Sequence, residues 1–114
     1  GEREGQDIDR LRKQLMNGTL AMTGIHDILD AAEQGRIETM LVLEGHQQPG
    51  LKCEPCNAYM RKVGQSCPKC GGGGNEVELM NEAVEAAIRI SAHVEFTDHP
   101  LLKDLGGLAA ILRW

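Results

Sequence analysis

The chain has 114 residues, a formal net charge of −5, and one tryptophan, one tyrosine and one phenylalanine. That length suits one domain with a sizeable core, which with so few aromatic residues must be aliphatic. The acidic balance argues against a dedicated nucleic-acid binder, whose footprint is basic, and no apolar run is long enough to span a membrane.

In chain order, the segment from Asp7 to Met16 places Ile8, Leu11 and Leu15 at helical spacing among charged residues. Asn17-Gly18 stops it, as glycine just past a helix end commonly does. The stripe Ile25, Ile28, Leu29 and Ala32 predicts a second helix, with Thr23 as N-cap and Gly35 as terminator. Thr39-Met40-Leu41-Val42-Leu43 is short and continuously apolar, which predicts a strand buried on both faces and central in a parallel or mixed sheet.

All four cysteines come next, in two matched pairs: Cys53-Glu54-Pro55-Cys56, ten intervening residues, then Cys67-Pro68-Lys69-Cys70. Each C-x-x-C puts two thiolates on one tight turn, and two turns close a tetrahedron. Cys53, Cys56, Cys67 and Cys70 are therefore the candidate ligands of one zinc ion in a zinc ribbon. Proline stiffens both turns, and Asn57 and Gly71, which follow them, tolerate a left-handed backbone. Two disulfides would need an oxidising compartment, to which no signal peptide points. A thioredoxin-like site would leave the second pair unexplained. Iron fits the same four thiolates; zinc is preferred because nothing else suggests electron transfer. Four protein ligands leave no position for water or substrate, so the metal is expected to be structural.

Between Leu51 and Gly71, Lys52, Arg61, Lys62 and Lys69 stand against Glu54 alone. These cations are read first as balancing a doubly negative tetrathiolate centre, and second as a contact for RNA phosphate. Gly71-Gly72-Gly73-Gly74 reads as a flexible return linker, with no phosphate-binding pattern, so the ribbon is an insertion between a strand and a helix. The following helix is expected to begin at a capping-box-like Asn75-x-x-Glu78 and to bury Val77, Met80, Val84, Ala87 and Ile88, ending near Ser91. Ala92, Val94 and Phe96 then alternate with His93, Glu95 and Thr97 as a strand. His99-Pro100 opens a short helix ended by Gly106-Gly107, and Leu108-Ala109-Ala110-Ile111-Leu112 is a final strand. Helices alternating with buried strands give an α/β fold with helices on both faces of the sheet.

No enzyme is expected. His26, His46, His93 and His99 are scattered without a local nucleophile motif, and Glu82, Glu85, Asp98 and Asp104 read as solvated.

Three stretches resemble one family. They are Ile28-Leu29-Asp30-Ala31-Ala32-Glu33-Gln34-Gly35-Arg36-Ile37-Glu38-Thr39-Met40-Leu41-Val42, the paired C-x-x-C insertion, and Leu105-Gly106-Gly107-Leu108-Ala109-Ala110-Ile111-Leu112-Arg113-Trp114. Together they resemble the C-terminal domain of the class-1 peptide chain release factors of archaea and eukaryotes, and of the related rescue factor Pelota. The last stretch is the most specific, being close to the family ending Phe-Gly-Gly-Ile-Ala-Ala-Ile-Leu-Arg-Tyr. The resemblance implies a three-layer α/β/α sandwich with a mixed sheet, like that of the kink-turn-binding ribosomal proteins. It implies a linker helix over 1–16, the α/β domain over 17–114 and the zinc ribbon over 51–74. It also implies a cytoplasmic module of translation termination that docks a translational GTPase, the ribosome and a recycling ATPase. The family's Gly-Gly-Gln loop is missing: Gly5-Gln6 and Gly64-Gln65 lack the second glycine.

Overall fold

A computed structural model of the chain describes residues 2–60, 66–67 and 69–114. The elements run α1 (Glu2–Asn17), β1 (Ala21–Thr23), α2 (Ile25–Glu33), β2 (Ile37–Leu43), β3 (Pro49–Cys53), β4 (Tyr59–Met60), β5 (Gly74–Glu78), α3 (Leu79–Arg89), β6 (His93–Thr97), α4 (Pro100–Asp104) and β7 (Leu108–Leu112). One sheet has the order β1-β7-β2-β6, with β7 antiparallel to both neighbours and β2 parallel to β6. This is the mixed sheet expected, with the apolar β2 inside it.

Strand alternation divides the core in two. Met40, Val42, Leu108 and Ala110 join Ile28 and Leu29 of α2 and Met80 and Ala83 of α3 in one cluster. Leu41, Ala109 and Ile111 join Ile8 and Leu11 of α1 and Leu102 of α4 in the other. Burial on both faces explains why β2 and β7 read as unbroken apolar runs. Each such Leu or Ile contributes roughly 1.5–3 kcal/mol by leaving water. The β2–β7 register shifts between Ile37 and Thr39, and this irregularity lets both bury their side chains. The intervening Glu38 accepts a 2.6 Å bond from Arg10 of α1.

Helix ends follow their sequence in part. Gly35, at φ +72°, closes α2, where its N–H reaches Ala32 O and that of Arg36 reaches Ala31 O. The N-cap of α2 is Gly24, however, and Thr23 belongs to β1, a three-residue strand with too little length for a periodic signal. The first helix starts at Glu2 and leaves Leu15 39% exposed, so its buried face is Asp7, Ile8 and Leu11.

The largest departure concerns residues 74–78. Asn75 and Val77 lie in β5 and pair with β3, so the glycine run is no free linker at its last residue. The capping function falls on Glu78, whose carboxylate accepts from Met80 N, Asn81 N and Gln48 N at 2.8, 3.1 and 2.9 Å. Three orphan donors at one carboxylate fix where α3 starts. It buries Leu79, Met80, Ala83 and Ala87, while Ile88 is 63% exposed. On β6 the alternation holds for Val94, but Phe96 faces out and Thr97 is buried, donating to Glu4 of α1. Among the described residues, no helix is long and apolar enough to cross a membrane.

Candidate metal centre

Between β2 and α3 the chain builds a second sheet, ordered β4-β3-β5 and antiparallel throughout. It reaches from Pro49 to Glu78, beyond the expected 51–74 at both ends. Cys53 ends β3, and a turn there closes through Asn57 N to Cys53 O at 2.8 Å and Cys53 N to Ala58 O at 2.7 Å. The second turn repeats the pattern, with Gly71 N to Cys67 O and Cys67 N to Gly72 O, both 2.8 Å. Asn57 and Gly71 take matching left-handed conformations, φ +61° and +76°. Two copies of one turn thus aim four side chains at one point.

The four sulfurs lie within 4.8 Å of one another. Across the turns Cys53 Sγ is 3.4 Å from Cys70 Sγ, and Cys56 Sγ is 3.5 Å from Cys67 Sγ. A disulfide needs about 2.05 Å. Zinc–sulfur bonds of about 2.3 Å place tetrahedral sulfurs about 3.8 Å apart, so the cluster fits such an ion. Cys53 and Cys67 are buried with Met60, and Cys56 and Cys70 are exposed.

Backbone donors shape the thiols unequally. The N–H groups of Cys70 and Lys69 pull Cys67 down to about 6. Cys53 receives the Cys56 N–H, but burial and the neighbouring thiols Cys70, Cys56 and Cys67 outweigh it and push Cys53 up to about 12. Four thiols so close cannot all ionise alone, and a divalent cation would supply the missing positive charge.

Lys52 reaches across to α3. Its ammonium bonds Glu82 of α3 at 2.9 Å and lies 5.5 Å from the Tyr59 ring centre. Tyr59 donates to the same carboxylate at 3.1 Å. Glu82, expected to be solvated, is thus the tie between the second sheet and α3. Lys52, then Tyr59, hold it below the usual carboxylate range. Burial, then Glu82, pushes Tyr59 up to about 12. Arg61 and Lys62 lie outside the described residues. A cleft of about 530 Å³ between this sheet and helices α2 and α3 is lined by Asp30, Glu33, Lys52, Lys69 and Arg89, a mixture of charges.

The four histidines serve separate elements. His26 lines that cleft, and His46 sits against Gly107. His99 Nδ1 caps α4 by accepting Leu101 N at 3.1 Å. His93 meets Asp7 and Glu95, a grouping that sequence reasoning missed; only the His93-x-Glu95 spacing on one strand face hinted at it. Glu85, Asp98 and Asp104 are exposed as expected.

A family model described as eRF1 domain 3 matches residues 2–114. A Pelota homologue of Halorubrum lacusprofundi is 31% identical over 117 residues, covering 98% of this chain and 28% of the relative. Peptide chain release factor subunit 1 of Pyrococcus abyssi is 26% identical over 137 residues, covering 98% and 33%. The chain therefore spans about a third or less of these curated relatives. Among solved structures, the C-terminal domain of a peptide chain release factor from Methanosarcina mazei superposes with TM-score 0.71 at 21% identity, over 99% of this chain and 82% of that one. Two others name partners. One is S. cerevisiae Dom34, described as interacting with Hbs1, with TM-score 0.59 at 18% identity over 99% and 27%. The other is ribosome-bound archaeal Pelota with ABCE1, with TM-score 0.60 at 24% identity over 98% and 26%.

Proposed function

The chain belongs to the eRF1 domain 3 family, and from that premise we propose that it is the C-terminal domain of a translation-termination or ribosome-rescue factor. It acts as a docking module for a translational GTPase, and in turn for the ribosome and a recycling ATPase, in the cytoplasm. It has no chemistry of its own. The observation that carries this reading is the family match along nearly the whole chain, joined to the missing Gly-Gly-Gln loop. The partners named for Dom34 and for Pelota support it.

In this reading the main sheet with its helices is a three-layer α/β/α sandwich akin to kink-turn-binding ribosomal proteins, and the helix expected as a linker over 1–16 belongs to one of its layers, where Ile8 and Leu11 are buried. The second sheet is a zinc ribbon, with 51–74 as its central part. Cys53, Cys56, Cys67 and Cys70 hold the zinc, and the matched turns and sulfur spacing support that ligand set. Bound there, zinc supplies a closed tetrahedral cross-link with no open position. The backbone N–H groups of Cys70 and Lys69 favour the Cys67 thiolate before any metal arrives.

RNA binding through the ribbon is the second reading, and the commitment of Lys52 to Glu82 removes one of its cations. The test is calorimetric titration of the chain with its cognate elongation-type GTPase, beside a peptidyl-tRNA hydrolysis assay on ribosomes. Saturable binding without hydrolysis is expected. Hydrolysis by this chain alone would overturn the proposal. No GTPase binding, with tight RNA binding that weakens steeply in salt, would favour the second reading.

A further inference from the structure

Where α1 crosses the edge strand β6, Asp7, His93 and Glu95 each bring one ligand atom within 4.8 Å of the other two. Residues i and i+2 of a strand share a face, so His93 and Glu95 project together. Nε2 of His93 is 3.4 Å from Oε1 of Glu95 and 3.7 Å from Oδ2 of Asp7. Nitrogen and oxygen ligands about 2.1 Å from a tetrahedral ion stand about 3.4 Å apart, so the two separations from His93 are close to the edges of a coordination polyhedron.

Asp7 is only 1% exposed, and a buried carboxylate requires a strong partner. Its arginine contacts are long: Arg3 Nε and Arg10 Nη1 both stand at 3.4 Å, from side chains 54% and 42% exposed. The short bond of Arg10 goes to Glu38 at 2.6 Å. Three carboxylates, Asp7, Glu38 and Glu95, thus face two guanidiniums, leaving the neighbourhood negative when His93 is neutral.

We propose that Asp7, His93 and Glu95 form a second metal site, which takes a divalent first-row transition ion through one imidazole nitrogen and two carboxylate oxygens and so clasps α1 to the sheet. The donor set differs from the thiolate cluster and suits zinc, cobalt or manganese. His93 and Glu95 side chains are 37% and 22% exposed, which gives the ion a way in and leaves room for water ligands.

The test is a titration of cobalt(II) into the zinc-loaded chain near neutral pH, followed by calorimetry and visible absorption. One further equivalent should bind, with the weak bands of a nitrogen- and oxygen-ligated ion and no sulfur charge-transfer band. His93→Gln and Glu95→Gln should each weaken it by more than the roughly 10–100-fold that outer-shell changes cost, while Glu85→Gln leaves it unchanged. Both altered side chains are partly exposed on an edge strand, and unchanged circular dichroism verifies the fold. Cobalt should also slow proteolysis within α1 in the parent chain and not in these two variants. No uptake beyond the thiolate site, or a further equivalent indifferent to both substitutions, would overturn the proposal.

Discussion

Gly107 enters β7 at φ +92°, and a Cβ built there would run into the His46 ring. Two costs coincide: the left-handed backbone, about 1–2 kcal/mol for any L side chain, and the displacement of a packed ring, about 1–3 kcal/mol. Gly107→Val should therefore lower unfolding stability by about 3 kcal/mol or more, read from denaturant midpoints. Ser91 poses the opposite case. It closes α3 at φ +60°, its N–H reaching Ile88 O and that of Ala92 reaching Ala87 O, a glycine's position held by an exposed serine. Ser91→Gly relieves the backbone cost but gives the unfolded chain more freedom, so a net gain of about 0.5 kcal/mol is expected in the same measurement. The helix stop at Gly35 and the left-handed positions at Asn57 and Gly71 were legible in the sequence because glycine and asparagine tolerate that backbone beside a helix end or a tight turn. Ser91 was not, because serine by its type does not report the left-handed turn that closes α3.

At the scale of elements, β2 and β7 were legible because both faces are buried, while β5 was not. Gly-Asn-Glu-Val-Glu has little intrinsic strand preference, and only pairing with β3 across the turn cluster makes it one. The gathering of the four cysteines was readable from spacing alone, but the side-chain tie between their sheet and α3 joins Lys52, Tyr59 and Glu82, residues far apart in sequence. That tie has a pH signature of its own. Glu82 is depressed below its ordinary 4.5, so its contribution is present above that value and fades as pH falls through the lowered one. Tyr59 is raised from 10 to about 12, so its contribution is whole below pH 10 and is lost as pH rises toward 12. Because the chain has one tyrosine, phenolate absorbance reads Tyr59 alone. Its midpoint should lie near 12 in the folded chain, and Glu82→Gln should move it back toward 10. An unmoved midpoint in that variant would mean that burial, without the carboxylate, sets the shift.

Across the whole molecule the two sheets rest on unequal foundations. The main sheet is enclosed by two aliphatic clusters, whereas the second has a core of Cys53, Met60 and Cys67, with Leu51 and Ala58 partly covering it. The radius of gyration is 14.5 Å, above the ~13 Å usual for a domain of this length, and the long axis is 44 Å against 27 and 23 Å. Among the described residues this sheet buries too little apolar surface to offset the entropy of ordering its own chain, and the proposed zinc cross-link would supply the difference. Removing the metal with a strong chelator, or replacing Cys67 by Ser, should therefore abolish amide-exchange protection in β3, β4 and β5 while β2 and β7 stay protected. The helix α3 decides how far the damage travels. Its first turn is fixed by Glu78, the last residue of β5, which holds Gln48 and the helix N-terminus through one carboxylate. Fraying should accordingly reach Met80 and Asn81 and stop at Ala83, which is fully buried in the larger cluster. Loss of protection throughout β2 and β7 on chelation would show instead that the two sheets fold as one cooperative unit.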